Sequence, residues 1–219
     1  MPDQKKARVL VIGGPTATGK TELAIEVSRR WGATIVSADA MTVYRGMNIG
    51  TAKPTAEVLS SFPHACVDVR WPNENFTVAD FTDQAEAIVR SHDRVVIAGG
   101  TPFYLRALIH PLATMPNGDD AIRAELGALP DPYAELCKID PECANRLHPN
   151  DRVRVIRALE VHAITGKTLT ELHAEEPRRQ PLDAEFVWID REGLRDRIDT
   201  RLQMMLSDGY VEETEGILK

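Results

Sequence analysis

Cysteine is scarce: the chain holds three, Cys66, Cys137 and Cys143. They are odd in number and none stands in a Cys-x-x-Cys pair. That argues against a disulfide framework or a zinc site and for buried free thiols. Long apolar runs are missing too. No stretch approaches the ~20 residues that span a bilayer, so no membrane partner is expected. The opening MPDQKKARVLVIGG carries two lysines but no apolar segment of signal-peptide length ahead of its glycines, and the protein is expected to be cytoplasmic. Internal repeats and low-complexity segments are absent. So is any cationic excess: 26 Lys and Arg stand against 33 Asp and Glu, a net charge of −7. That balance argues against a nucleic-acid partner unless the basic residues are clustered, so their distribution matters more than their sum.

What is present is ordinary globular material, 43% hydrophobic and 27% charged over 219 residues. It suits one α/β domain with a smaller insertion. The segment VIGGPTATGKTEL contains Gly14, Gly19, Lys20 and Thr21 in the order G-x-x-x-x-G-K-[ST]. ARVLVIGG before it reads as a buried parallel strand. After it, Leu23, Ala24, Val27 and Trp31 fall at helical spacing. Strand, glycine-rich loop and helix are the context a phosphate-binding loop requires.

The pattern continues in the same alternation. ATIVSAD reads as a second buried strand with Asp39 at its carboxyl end, and ACVDV, around Val67, as a short third. FTVADFTDQAEAIVRSH reads as an amphipathic helix capped by Thr77, with Asp80 three residues on. RVVIAGGT is a further buried strand, and PFYLRALI turns into a helix. Strands alternating with helices imply a parallel sheet with right-handed crossovers, so the core is expected to be a P-loop NTPase-like parallel sheet flanked by helices. Ligands of such sheets bind beyond the carboxyl ends of the strands, where the loop, Asp39 and Thr101 can converge.

From Met115 to about Glu176 the signals are helical, with MPNGDD and LPDPY as turns. The strongest helix runs from about Asp151 to Thr165 and stops at Gly166. Val153, Ile156, Leu159 and Ala163 are its expected apolar stripe, with Arg152, Arg154 and Arg157 largely off it. DAEFVWIDR reads as a returning strand and GLRDRIDTRLQMMLSDG as a helix carrying Arg195, Arg197 and Arg201. YVEETEGILK begins one more helix. The expected division is a P-loop core over 1–114, a helical insertion over the sheet at 115–180, and a return to the core at 181–219.

The residue types define the chemistry. Backbone N–H groups of Gly14, Pro15, Thr16, Ala17, Thr18, Gly19, Lys20 and Thr21 (proline excepted) would form an anion nest at a helix N-terminus. Lys20 adds a point charge, and Thr21 can ligand Mg²⁺ bridged to phosphates. The usual guest of such a loop is a nucleotide, ATP above all. Asp39 is open to three readings: a magnesium ligand, a general base on an acceptor, or a simple cap. RVVIAGG ends with no acid that could replace it. Thr101 can donate to a leaving oxygen or cap the helix after it. The arginines at 152, 154 and 157, and at 191, 195, 197 and 201, form a solvated face or clamp a diphosphate and an RNA backbone. His148 reads as structural at a helix start.

With these residues in place, the chain resembles the tRNA dimethylallyltransferase (tRNA isopentenyltransferase) family. GGPTATGKTELA, VSADAMTVYRGMNIGTAKPT, FPHACVDV with FTVADF, AGGTPFYLRALI and LHPNDRVRVIRALEVHAITGKTLTEL resemble successive family signatures, five blocks in the same order. The resemblance implies transfer of a dimethylallyl group from dimethylallyl diphosphate to N6 of the adenosine 3′-adjacent to the anticodon of tRNA. It implies Asp39 as the base and Thr101 as the group assisting the departing diphosphate. The loop from Gly14 to Thr21 would hold that diphosphate with Mg²⁺, and Arg191 and Arg197 would stand near it. Ala40, Met41, Thr42 and Val43, with Arg154 and Arg157, would lie on the tRNA and adenine side. A monomer is expected. Two departures stand out. The family has serine after the aspartate and glutamine two positions later, where this chain has Ala40 and Thr42, so the diphosphate side is intact and the acceptor side is altered. Family members also continue beyond this length, and the chain stops inside a helical pattern at Lys219, so its C-terminal part reads as truncated.

Three other activities remain compatible with the residues: a P-loop small-molecule kinase, a prenyltransferase acting on free adenylate, and an RNA-binding remnant. No NKxD-type guanine motif is present, which argues against a GTPase switch.

Overall fold

The computed structural model describes residues 7–175 and 179–218. The two opening lysines, the Glu176 end of the helical run and the terminal Lys219 lie outside the described residues. The chain divides into two compact units, Met1–His110 with Pro181–Lys219, and Pro111–Gln180. The boundary expected at 114/115 thus falls at 110/111.

The first unit is a five-stranded sheet, β1 (Arg8–Gly13), β2 (Thr34–Ser37), β3 (His64–Ala65), β4 (Arg94–Gly99) and β5 (Glu185–Trp188). Its order is β3-β2-β4-β1-β5 and every pairing is parallel. Strands buried on both faces carry continuous apolar runs, which explains RVLVIG and RVVIAG. On one face Ile12, Ile35 and Val96 pack with Ala24 of α1 (Lys20–Trp31). On the other, Val9, Val11, Val36, Val95 and Ile97 pack with Phe81 of α3 (Val78–Ser91) and with Tyr104, Leu105 and Leu108 of α4 (Pro102–Ile109). Phe81 and Tyr104 stack at 4.5 Å. The Thr77–Asp80 pair forms a reciprocal capping box at the start of α3. The short α2 (Ala56–Ser61) precedes β3, and α10 (Leu194–Ser207) and α11 (Tyr210–Ile217) follow β5.

The third strand is shorter and earlier than ACVDV predicts. It ends at Ala65, and Cys66 and Asp68 take left-handed backbone angles, φ 63° and 53°. A non-glycine residue adopts that conformation at a steric cost and cannot continue a ladder.

The second unit contains α5 (Asp120–Gly127), α6 (Pro132–Ile139), α7 (Pro141–Arg146), α8 (Arg152–Thr165) and α9 (Leu169–Ala174) around Leu136, Cys143, Ala144, Val155, Ala158 and Leu159. Asp151 caps α8 by accepting the Arg154 N–H, and Gly166 ends it in the left-handed region. The expected stripe is corrected. Val153 is 81% exposed and Ala163 is exposed, while Val155, Ala158, Leu159 and Val161 face inward. Buried Glu160 sits on that inward side, so a polar residue hid the true face from a hydrophobicity pattern. The cysteines are unpaired; Cys66 and Cys143 are buried, but Cys137 is exposed.

Candidate active site

The loop between β1 and α1 has the backbone that its sequence requires. Gly19 stands at φ 97° and Ala17 at φ 62°, which turns successive amides toward one concavity at the start of α1. The Thr18 hydroxyl donates to the Pro15 carbonyl at 2.9 Å. The Lys20 ammonium donates to the same carbonyl and, at 3.4 Å, to Thr18 Oγ1, so it is drawn across the loop rather than into solvent. Burial lowers the Lys20 pKa; the Asp39 carboxylate opposes that effect and the Arg201 guanidinium adds to it. Arg197, on α10, donates from Nε to the Ala17 carbonyl at 2.9 Å. Arg197 thus binds the loop directly, and Arg201 stands within electrostatic reach of Lys20.

Asp39 lies two residues past the end of β2. Its Oδ1 accepts the Met41 N–H at 2.8 Å and the Thr42 N–H at 3.3 Å, which fixes the carboxylate in an Asx-type turn. Oδ2 accepts no hydrogen bond among the described residues.

Thr101, the residue before α4, does not cap that helix with its side chain. Its Oγ1 instead accepts the Ala40 N–H at 3.0 Å. The hydroxyl proton is thereby left for another acceptor. The chain reaches this position because Gly99 has no Cβ: one built there would lie 2.0 Å from the Ala38 carbonyl oxygen. The adjacent strands β2, β4 and β1 are thus followed by Asp39, Thr101 and the glycine-rich loop, in that spatial order.

On the expected acceptor side the structure separates the residues. Met41 is 47% exposed and Ala40 is half-buried. Thr42 is buried and its hydroxyl bonds Ser37 Oγ at 3.1 Å. Val43 is fully enclosed in the core beside Phe76 and Phe81. Thr42 and Val43 therefore do not present side chains to a substrate: the hydroxyl of one is spent on Ser37 and the other is enclosed in the core.

The arginines also divide. The Arg191 side chain is exposed, two residues past Ile189, whose N–H donates to the Gly13 carbonyl at 2.8 Å. Arg154 is exposed and pairs with Asp151 at 2.8 Å. Arg157 is committed inside its own unit, to the Glu160 carboxylate and, at 2.6 Å, to the Pro116 carbonyl. Arg152 donates to the Gly127 carbonyl at 2.8 Å. His148 Nδ1 accepts the Asn150 N–H at 3.1 Å, a local turn contact.

Two groups escaped sequence reasoning. The side chain of Lys53 is 2% exposed and donates to Tyr44 O, Asn48 Oδ1 and Asp68 Oδ1. Glu213 accepts the N–H groups of Asn48, Ile49 and Gly50. Lys53 lies within the GTAKPT block and could have been singled out there; Glu213 carries no local signal.

Known proteins are similar to this arrangement and to the sequence that forms it. The family model described as IPP transferase matches residues 42–219, beginning just after Asp39. A tRNA dimethylallyltransferase of Geobacter sulfurreducens is 43% identical, with 97% of this chain and 73% of that protein covered. One from Citrifermentans bemidjiense is 42% identical, covering 98% and 73%. A solved tRNA isopentenylpyrophosphate transferase from Staphylococcus epidermidis is similar at 35% identity, with a TM-score of 0.61 over 97% of this chain and 74% of that one. A eukaryotic dimethylallyltransferase solved acting on tRNA reaches a TM-score of 0.81 at 28% identity, over 97% and 56%.

Proposed function

The chain belongs to the IPP transferase family, and from that premise we propose that it moves a dimethylallyl group from dimethylallyl diphosphate to N6 of the adenosine 3′-adjacent to the anticodon in tRNA, releasing diphosphate. The observation that carries this reading is the order of the three strand ends. A polyanion cradle and a carboxylate flank a hydroxyl that is tied to the residue after that carboxylate.

The reaction balances on these groups. The allylic C–O bond breaks and its electron pair leaves with the diphosphate. The loop amides, Lys20 and Arg197 stabilise that charge, and the free Thr101 proton is available to the leaving oxygen. The N6 nitrogen bonds the allylic carbon. The proton it sheds passes to the open Oδ2 of Asp39, since an exocyclic amine becomes acidic only as attack proceeds. The adenine must be turned out of its stack to reach this position. On the acceptor side, Met41 is exposed and Ala40 half-buried; in the helical unit, Arg154 is exposed in its pair with Asp151.

No cluster of three His, Cys, Asp or Glu side chains suited to a metal occurs among the described residues. Exposed Thr21 beside a diphosphate fits Mg²⁺, which keeps its waters and binds through one or two protein groups plus phosphate oxygens. When bound there, Mg²⁺ would supply charge neutralisation of the leaving group. No helix among the described residues is long and apolar enough to cross a membrane, and the protein is proposed to act as a cytoplasmic monomer.

The test is incubation with radiolabelled dimethylallyl diphosphate and either tRNA or AMP, beside a reaction with ATP and no prenyl donor. Label on tRNA is the expected result. Label on AMP alone would overturn the tRNA acceptor, and ATP-dependent phosphorylation of a small molecule would replace prenyl transfer altogether.

A further inference from the structure

The segment carrying Asp39 has little regular structure of its own. After β2 the chain runs through isolated turns until α2. The turn that holds the carboxylate must itself be held. A group at the far end of the same segment ties it down, the Lys53 ammonium. Its three N–H donors meet Tyr44 O at 2.6 Å, Asn48 Oδ1 at 3.0 Å and Asp68 Oδ1 at 2.6 Å, which uses its whole donor capacity. Tyr44 and Asp68 belong to two stretches laid side by side. Asp68 N donates to Thr42 O, Val69 N to Val43 O and Arg45 N to Arg70 O. Thr42 is also one of the two residues whose N–H fixes Asp39.

Three of the non-glycine residues in left-handed conformation, Ala52, Cys66 and Asp68, lie on the strands of chain that Lys53 draws together. Such conformations persist only where the surroundings over-determine them. The surroundings here include a second carboxylate. Glu213 of α11 accepts Asn48 N at 2.7 Å, Ile49 N at 2.8 Å and Gly50 N at 3.0 Å. The Tyr210 ring lies against Gly50, where a Cβ would fall 2.3 Å from it. Asn48 is shared: its backbone is held by Glu213 and its side chain by Lys53.

We propose that Lys53 is a positioning residue for the base Asp39, and that Glu213 anchors it through the Asn48–Gly50 turn. The inference rests on Asp39 being the base of the proposed transfer. A buried ammonium held by three oxygens fixes the 41–44 stretch, and that stretch aims Asp39 at the acceptor without touching the diphosphate loop.

The experiment compares the parent with Lys53→Met and Glu213→Gln. Amide exchange by NMR is measured beside kcat and the Kd for dimethylallyl diphosphate. In Lys53→Met the Met41 and Thr42 amides should exchange about tenfold faster or more, as expected for loss of a charge-assisted hydrogen bond, while β1 and β4 stay protected. Its kcat should fall about tenfold or more with the Kd held within about twofold. Glu213→Gln, a change at the surface of a helix, should produce the same pattern more weakly, beginning at Asn48, Ile49 and Gly50. It serves if Lys53→Met does not fold. Parental exchange at Met41 and Thr42 in a folded variant overturns the proposal, as does a kcat that does not change. A parent that transfers nothing to tRNA sinks the functional reading alone, because the exchange measurement still decides whether Lys53 orders the Asp39 turn.

Discussion

Thr101 Oγ1 accepts the backbone N–H of Ala40 at 3.0 Å, across 61 residues of sequence. A single hydroxyl therefore joins the end of β4 to the residue after Asp39 and keeps its own proton for a third group. Thr101→Val removes both functions at constant volume, whereas Thr101→Ser keeps them. Single-turnover transfer should fall on the order of a hundredfold in the valine variant and only a few-fold in the serine variant. Equal rates in the two would show that the hydroxyl is not used.

Asp39→Asn is the sharper substitution, because an amide oxygen can still accept the Met41 and Thr42 N–H groups. The turn survives while the proton acceptor is lost. Transfer should drop by about 10²–10⁴, the range of a general base, with binding of dimethylallyl diphosphate preserved in a titration. Lys20→Ala should do the reverse and weaken that binding about tenfold or more. Near-normal turnover in Asp39→Asn would remove the base assignment.

Glu160 should govern the acid stability of the helical unit. It is fully buried, and burial alone would raise its pKa. The Arg157 hydrogen bond, the Asp119 N–H and the Arg123 guanidinium outweigh that and hold it below the ordinary glutamate value of 4.5. A carboxyl with a depressed folded pKa contributes stability that is fully present above its unfolded pKa. That stability is lost as the pH falls through the folded value. Thermal melts of Glu160→Gln should therefore show a flatter decline below pH 4.5 than the parent. At neutral pH the variant should be about 3 kcal/mol less stable, the order expected for breaking a buried pair. Matching acid limbs would mean that Glu160 titrates alike in the folded and unfolded chain.

The glycine-rich turn between β1 and α1, the parallel α/β core, the Thr77 cap, and the place of Asp39 and Thr101 just past strand ends were all legible from sequence. Each rests on local physics. An apolar run marks a strand buried on both faces. Gly19 supplies a backbone angle that few residues accept, and a threonine with an acid three residues later closes a cap. Neighbours within a few positions decide such features, so spacing reveals them. The tertiary structure alone decided which side of the 40–43 turn faces inward, placing Thr42 on Ser37 and Val43 in the core. It alone assigned Arg157 to Glu160 rather than to solvent, and joined Lys53 to Asp68 and Glu213 to Ile49, partners 15 and 164 residues apart. A charged side chain reads as surface in a sequence because burial of a charge is costly unless a partner meets it. The partner's arrival depends on how distant segments are brought together, and no local pattern encodes that.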